Sequence, residues 1–240
     1  MAQNNPAGRL LALINEGKKP EYSNKPYLEA WKDILKLKDR SLSNTLYKLS
    51  YILLLPQQIE KTLLATGIVD NIDRYVSKIR KIPSFMQVNL NGSWSNFIKN
   101  FDDVLMKELE ICNDILSAHK PEKTISDNDL NKLKEKVQEL LTEIENAELD
   151  EAFKKEMLNM IYRIINSIEL YQIVGVKALE EVFEHNIGTL SVKKDFFKKY
   201  KEIAQNSIQK FFNIMQTIST LYSIADTFHR IPDTIKSLLP

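Results

Sequence analysis

Between Phe211 and Ala225 the chain carries no charged residue, although charged side chains make up 27% of the whole. Read as a helix, this stretch sets Ile208, Phe211, Met215, Ile218, Tyr222 and Ala225 along one face, and Ile214, Leu221, Ile224 and Phe228 along another. A helix that is apolar on two faces has to be covered on two sides. Residues 203–228 are therefore the central helix of a bundle, a subunit interface, or a surface that meets lipid. Asn213, Gln216, Thr217, Ser219, Thr220 and Ser223 interrupt the apolar faces, which argues against a membrane span and puts the central helix first.

The rest of the sequence has to supply that cover, and its pattern is helical throughout. Asn5 and Pro6 mark the start of a first helix that Gly17 closes. Pro26 opens a second, and Ser41 or Ser43 caps a third, which Pro56 is expected to kink or end. A further short helix is predicted over 70–82, before Pro83. Ser93 caps a long helix from Trp94 to about Ala118, with Trp94, Ile98, Phe101, Leu105, Cys112 and Ile115 close to a heptad register. The cleanest pattern follows the capping residues Ser126 and Asp127. Leu130, Leu133, Val137, Leu140 and Ile144 step by three and four among Lys, Glu, Asn and Gln, a narrow seam on an exposed helix. Met157, Met160, Ile161, Ile164 and Ile165 then cover a broader face, Gly188 is expected to end a shorter helix, and one long helix is expected from Val192 to Phe228.

With Gly and Pro scarce and no strand alternation, the fold expected is all-α, a multi-helix bundle of roughly eight to ten helices. Short N-terminal helices would occupy residues 1–82 and longer antiparallel helices residues 93–240, parted by the break at 83–92 or joined as one domain. The net charge of +1 gives no overall pull toward nucleic acid or membrane. One cysteine excludes a disulfide framework within the chain and fits a reducing compartment. No signal-peptide pattern and no run of about 18 apolar residues is present, so a cytoplasmic location is expected.

Chemistry-bearing motifs are few. None of His119, His185 and His229 has a second His or Cys at zinc spacing. Glu181 and His185 share a helix face, but Val182 stands where a Glu-x-x-His metal motif needs its carboxylate. The Arg that precedes a His by a few residues in all-helical nucleases of the HEPN group has no counterpart. Phosphate-binding Gly loops and serine nucleophile elbows are absent. Cys112 reads as a buried small hydrophobe. Basic clusters at 193–201 and 74–81 read as solvated helix faces, with contact to an acidic partner as the weaker alternative. No cofactor, metal or small-molecule substrate is expected.

Two segments, NPAGRLLALINEGKK with AWKDILKL and AELDEAFKKEMLNMIYRIINSIELYQIVGVKALEEVFEHNIG, resemble uncharacterised all-helical bacterial proteins. The resemblance covers about a third of the chain, and it implies an accessory role in phage defence without a catalytic residue to carry over. Taken with the residue pattern, the expected function is a non-enzymatic protein that binds other protein chains or itself. Its candidate interaction residues are Leu130, Leu133, Val137, Leu140 and Ile144 of the seam, and Phe211, Phe212, Met215, Ile218 and Tyr222 of the charge-free helix. Behind it stand a membrane-acting effector using the C-terminal amphipathic helix, and an enzyme or nucleic-acid-binding protein with a site that sequence does not reveal.

Overall fold

A computed structural model describes residues 5–68, 70–88 and 90–222. The expected positions Ser223, Ile224, Ala225, Phe228 and His229, and the tail after Pro232, lie outside the described residues. Among the described residues twelve α-helices follow one another: α1 Pro6–Gly17, α2 Tyr27–Ile34, α3 Leu42–Leu64, α4 Asp73–Val76, α5 Ile82–Val88, α6 Trp94–Ile98, α7 Asp103–His119, α8 Asp127–Asn146, α9 Glu151–Val174, α10 Lys177–Val192, α11 Lys194–Lys199 and α12 Gln205–Tyr222. Short 3-10 turns at Pro20–Tyr22 and Ile79–Lys81 join them. Among the described residues the fold is all-α, with one isolated bridge between Pro26 and Ser93 in place of any strand.

The chain forms two compact units. The first comprises residues 5–124 with 172–175, and the second residues 125–171 with 176–222. The division falls in the polar stretch after α7, not at the expected break of 83–92, which lies inside the first unit. That break is itself partly helical. Pro83 sits in the first turn of α5, where a missing N–H costs nothing.

In the first unit α1 packs against α3 and α7. Its start is fixed by Asn5, whose Oδ1 accepts from the Gly8 amide at 2.8 Å. The Asn5 Nδ2 meanwhile donates to Asn113 Oδ1 and Ser117 Oγ on α7, at 3.0 and 2.9 Å. One buried side chain thus caps a helix and ties it to its neighbour. At the other end of α1, Gly17 is required by a close approach. Trp94 Nε1 donates to the Gly17 carbonyl at 2.6 Å, and a Cβ on Gly17 would lie 2.3 Å from the indole. Trp94 belongs to a buried aromatic cluster with Tyr27, Trp31, Phe97 and Phe101.

A buried cation completes this unit. Arg9 forms an ion pair with Glu122 and donates from Nε to the Ile173 carbonyl at 2.9 Å, near the carboxyl end of α9 where positive charge is favoured. Gly175, at φ +78°, lies so close that a Cβ there would come within 2.6 Å of both Arg9 and Glu122. The helix end at α2 closes without glycine. Leu37 N–H donates to the Lys32 carbonyl and Lys36 N–H to Asp33, with Lys36 at φ 52°, the double bond pattern of a Schellman motif.

Several helix boundaries differ from expectation. The helix predicted from Trp94 to Ala118 is two, because Asp102 accepts from the Leu105 amide at 2.8 Å and starts α7 afresh. Pro56 neither ends nor splits α3, which runs unbroken past it. Gly188 lies inside α10, and the long helix expected from Val192 to Phe228 is interrupted at Lys193 and again at 200–204. Those interruptions let Phe196, Phe197 and Tyr200 gather around Phe153 of α9. In the second unit α12 packs against both α8 and α10.

Candidate interaction surface

The residues singled out from sequence come together inside the second unit. Leu133, Val137, Leu140 and Ile144 of α8 are buried, and Leu130 is half-buried. Phe211, Phe212, Met215, Ile218 and Tyr222 of α12 are buried as well. The seam and the charge-free helix belong to elements that pack on each other, so each covers the other's apolar side. A polar clasp flanks them. Glu143 accepts from Ser207 Oγ at 2.8 Å and from Lys210 Nζ. The Lys210 hydrogen bond, followed by that of Ser207, holds the Glu143 carboxyl below its ordinary range against the opposing effect of burial. On the second apolar side of α12 Ile214 is buried and Leu221 half-buried, while on the first side Phe183 of α10 meets Tyr222 edge-on with ring centroids 5.6 Å apart.

Groups that could carry chemistry are engaged structurally. Cys112 is buried and donates to the Tyr75 carbonyl at 3.4 Å. Burial, with Glu108 nearby, pushes its thiol up to about 12, so the reactive thiolate is scarce at neutral pH. His119 and His185 are exposed. Among the described residues no group of three or more His, Cys, Asp or Glu is placed to hold a metal. Three residues of the basic clusters are paired within the chain. Arg80 bridges Glu60 and Asp73, Lys78 meets Asp102 at 2.7 Å, and Lys193 meets Glu156 at 2.6 Å. Among the described residues no helix is long and apolar enough to cross a membrane.

Several exposed apolar side chains stand together elsewhere, on α3. This helix turns Thr45, Lys48, Leu49, Ile52, Leu55, Ile59 and Leu63 inward, toward α1, α5 and α7. Its other side is also apolar, with Leu42 57% exposed, Leu46 40%, Leu54 47% and Leu64 53%. Leu53 is half-buried beside them, and Tyr47 and Tyr51 stack edge-on with their hydroxyls 3.0 Å apart. From Leu42 to Ile59 the only charged residue is Lys48. Its side chain is fully buried on the inner side, so this length of the outer side carries no charge at all. Soluble proteins break up open apolar surface with charged residues, and a contiguous uncharged strip marks a contact surface.

Sequence reasoning passed over this strip because α3 reads as an ordinary core helix with an internal proline. The available signal was the charge pattern. One lysine in eighteen residues leaves a helix with two apolar sides, as on α12, and nothing in the local pattern says that only one of them is covered.

Comparison with protein-family models, with curated proteins and with solved structures gives no match.

Proposed function

We propose that this protein works without chemistry of its own, by binding protein chains through the outer side of α3. The single observation that supports this reading is the open apolar strip formed by Leu42, Leu46, Leu53, Leu54 and Leu64, which carries no charge on its outer side from Leu42 to Ile59. Burial of such side chains is the main favourable term in association, and aromatic neighbours such as Tyr47 and Tyr51 are enriched at contact surfaces. The setting rests on the resemblance of the two sequence segments alone, which suggests an assembly component of a bacterial phage-defence system.

Light scattering across a dilution series tests the assembly reading. A weight-average mass that rises above the 27.8 kDa of one chain as concentration increases is the expected outcome. A mass fixed at one chain throughout, together with no binding of an apolar-surface dye, would contradict it. Plaque counts on cells with and without the gene test the setting separately.

A further inference from the structure

The strip on α3 has a property that an apolar surface for an unrelated partner does not need. Its ends and centre read the same in both directions. Leu42, Leu46, Ser50, Leu53, Gln57, Glu60 and Leu64 follow one line along the helix at steps of three and four, and only Leu46 and Glu60, seven residues to either side of Leu53, differ in kind. Leu53 stands at the middle of this line, eleven residues after Leu42 and eleven before Leu64. Ser50 and Gln57 stand at nearly equal distances on either side of it. A surface that meets its own copy about a twofold axis has to be self-complementary, because each residue meets the reversed sequence.

We propose that α3 pairs with α3 of a second copy, antiparallel, about a twofold axis passing at Leu53; this rests on the assembly reading above. Leu53 then meets Leu53 at the axis. Leu42 meets Leu64 at both ends, and Ser50 and Gln57 face one another within reach of a hydrogen bond. Leu46 falls opposite Glu60 of the second copy, whose carboxylate is held by Arg80 at 2.6 Å, and beside the aliphatic stem of Lys61, which is exposed with its ammonium in water. Reversal of direction opposes the two helix macrodipoles, which parallel pairing would align.

Charge and area both favour a second copy as the occupant. Any charge near a twofold axis meets its own like, and the outer side of α3 has none from Leu42 to Ile59. Between Leu42 and Ile59 a partner chosen by charge would find nothing to recognise. A helix of this length presents a strip about 34 Å long. Two such strips cover on the order of 600 Å² on each copy, at the lower edge of specific interfaces, which is the size of a weak, reversible dimer. Tyr47 and Tyr51 flank the line and extend the contact beyond the leucines.

Cysteine cross-linking together with sedimentation of the full chain tests the pairing. Leu53→Cys under mild oxidation should yield a covalent dimer in high proportion, since the axis brings the two sulfurs together. Cys112 is buried and should not compete. Leu42→Cys mixed with Leu64→Cys should cross-link at least fivefold more than either protein alone. Leu53→Glu should abolish the dimer at a concentration where the unaltered chain is dimeric, with its melting temperature little changed. Should that variant misfold, Leu46→Glu serves the same purpose. Cross-linking of Leu42→Cys with itself would overturn the antiparallel arrangement. A dimer that persists in folded Leu53→Glu and Leu46→Glu would overturn the α3 pairing while leaving assembly intact. A chain that stays monomeric at every concentration would overturn both this pairing and self-association.

Discussion

α12 in the second unit and α3 in the first are built alike. Each is a long helix with a charge-poor stretch, apolar on two sides, and each turns one side to neighbours within its own unit. They differ in what happens to the second side. On α12 its described residues are covered: α8 and α10 both pack on this helix, Ile214 is buried and Leu221 is half-buried. On α3 it stays open, with four leucines at least 40% exposed. Two apolar sides therefore state a need for cover but do not say where the cover comes from. The chain supplies it for α12. For α3 a second chain is the proposed source.

The comparison is most easily broken by equal substitutions on the two helices. Leu140→Ala removes a fully buried side chain from the seam and should cost about 2–5 kcal/mol of unfolding free energy in urea titration. Leu54→Ala on the open side of α3 should stay within about 0.5 kcal/mol of the unaltered chain when measured at monomer concentrations. Similar losses at both positions would mean that α3 is covered by its own chain after all.

A second substitution separates the stability of the first unit from the state of its open surface. Glu122→Ala leaves the Arg9 guanidinium buried without its carboxylate. The cost expected is about 2–3 kcal/mol, at the low end for a broken buried ion pair, because Glu122 is 30% exposed. The α3 contact should survive this change at concentrations where the variant is folded, as sedimentation would show.

The smallest effect concerns acid. Glu143 has its carboxyl held below the ordinary value of 4.5, first by Lys210 and then by Ser207. A carboxyl with a lowered folded-state pKa contributes stability at pH above its unfolded value, and loses that contribution as pH falls through the folded value. The difference in stability between the unaltered chain and Glu143→Gln should thus be constant from neutral pH to about pH 5 and shrink below about pH 4.5. Self-association through the α3 strip, which has no carboxylate or imidazole between Leu42 and Ile59 and whose Glu60 is held below its ordinary value by Arg80, should show no change between neutral pH and about pH 5.

Much of the fold was legible in the sequence. Asn5 and Ser93 cap helices as expected, and of the alternatives Ser41 or Ser43 and Ser126 or Asp127 it is Ser41 and Ser126 that accept from helix amides. The seam of α8 and the central position of α12 followed from periodicity. What the sequence concealed were places where a side chain overrides the local pattern. Asp102 begins a new helix in mid-pattern without a glycine or proline to announce it. Gly17 reads as a helix stop, yet it is needed for the indole of Trp94. Lys36 closes α2 in a conformation usually given to glycine. The candidate residues of the interaction surface were read from the most conspicuous apolar faces, and those are conspicuous because the core needs them. The open strip of α3 has the same local pattern, and only the tertiary arrangement tells it apart.

Hydroxyl-radical footprinting at low and high protein concentration tests that distinction most directly. Tyr47 and Leu54 should be labelled strongly at about 1 μM and protected at about 200 μM, as association covers them. Met215 and Phe211, buried in the second unit, should stay weakly labelled at both. Labelling of Tyr47 and Leu54 that is equal at the two concentrations, while scattering shows the chain to be oligomeric at the higher one, would contradict the assignment of α3 as the surface through which it assembles.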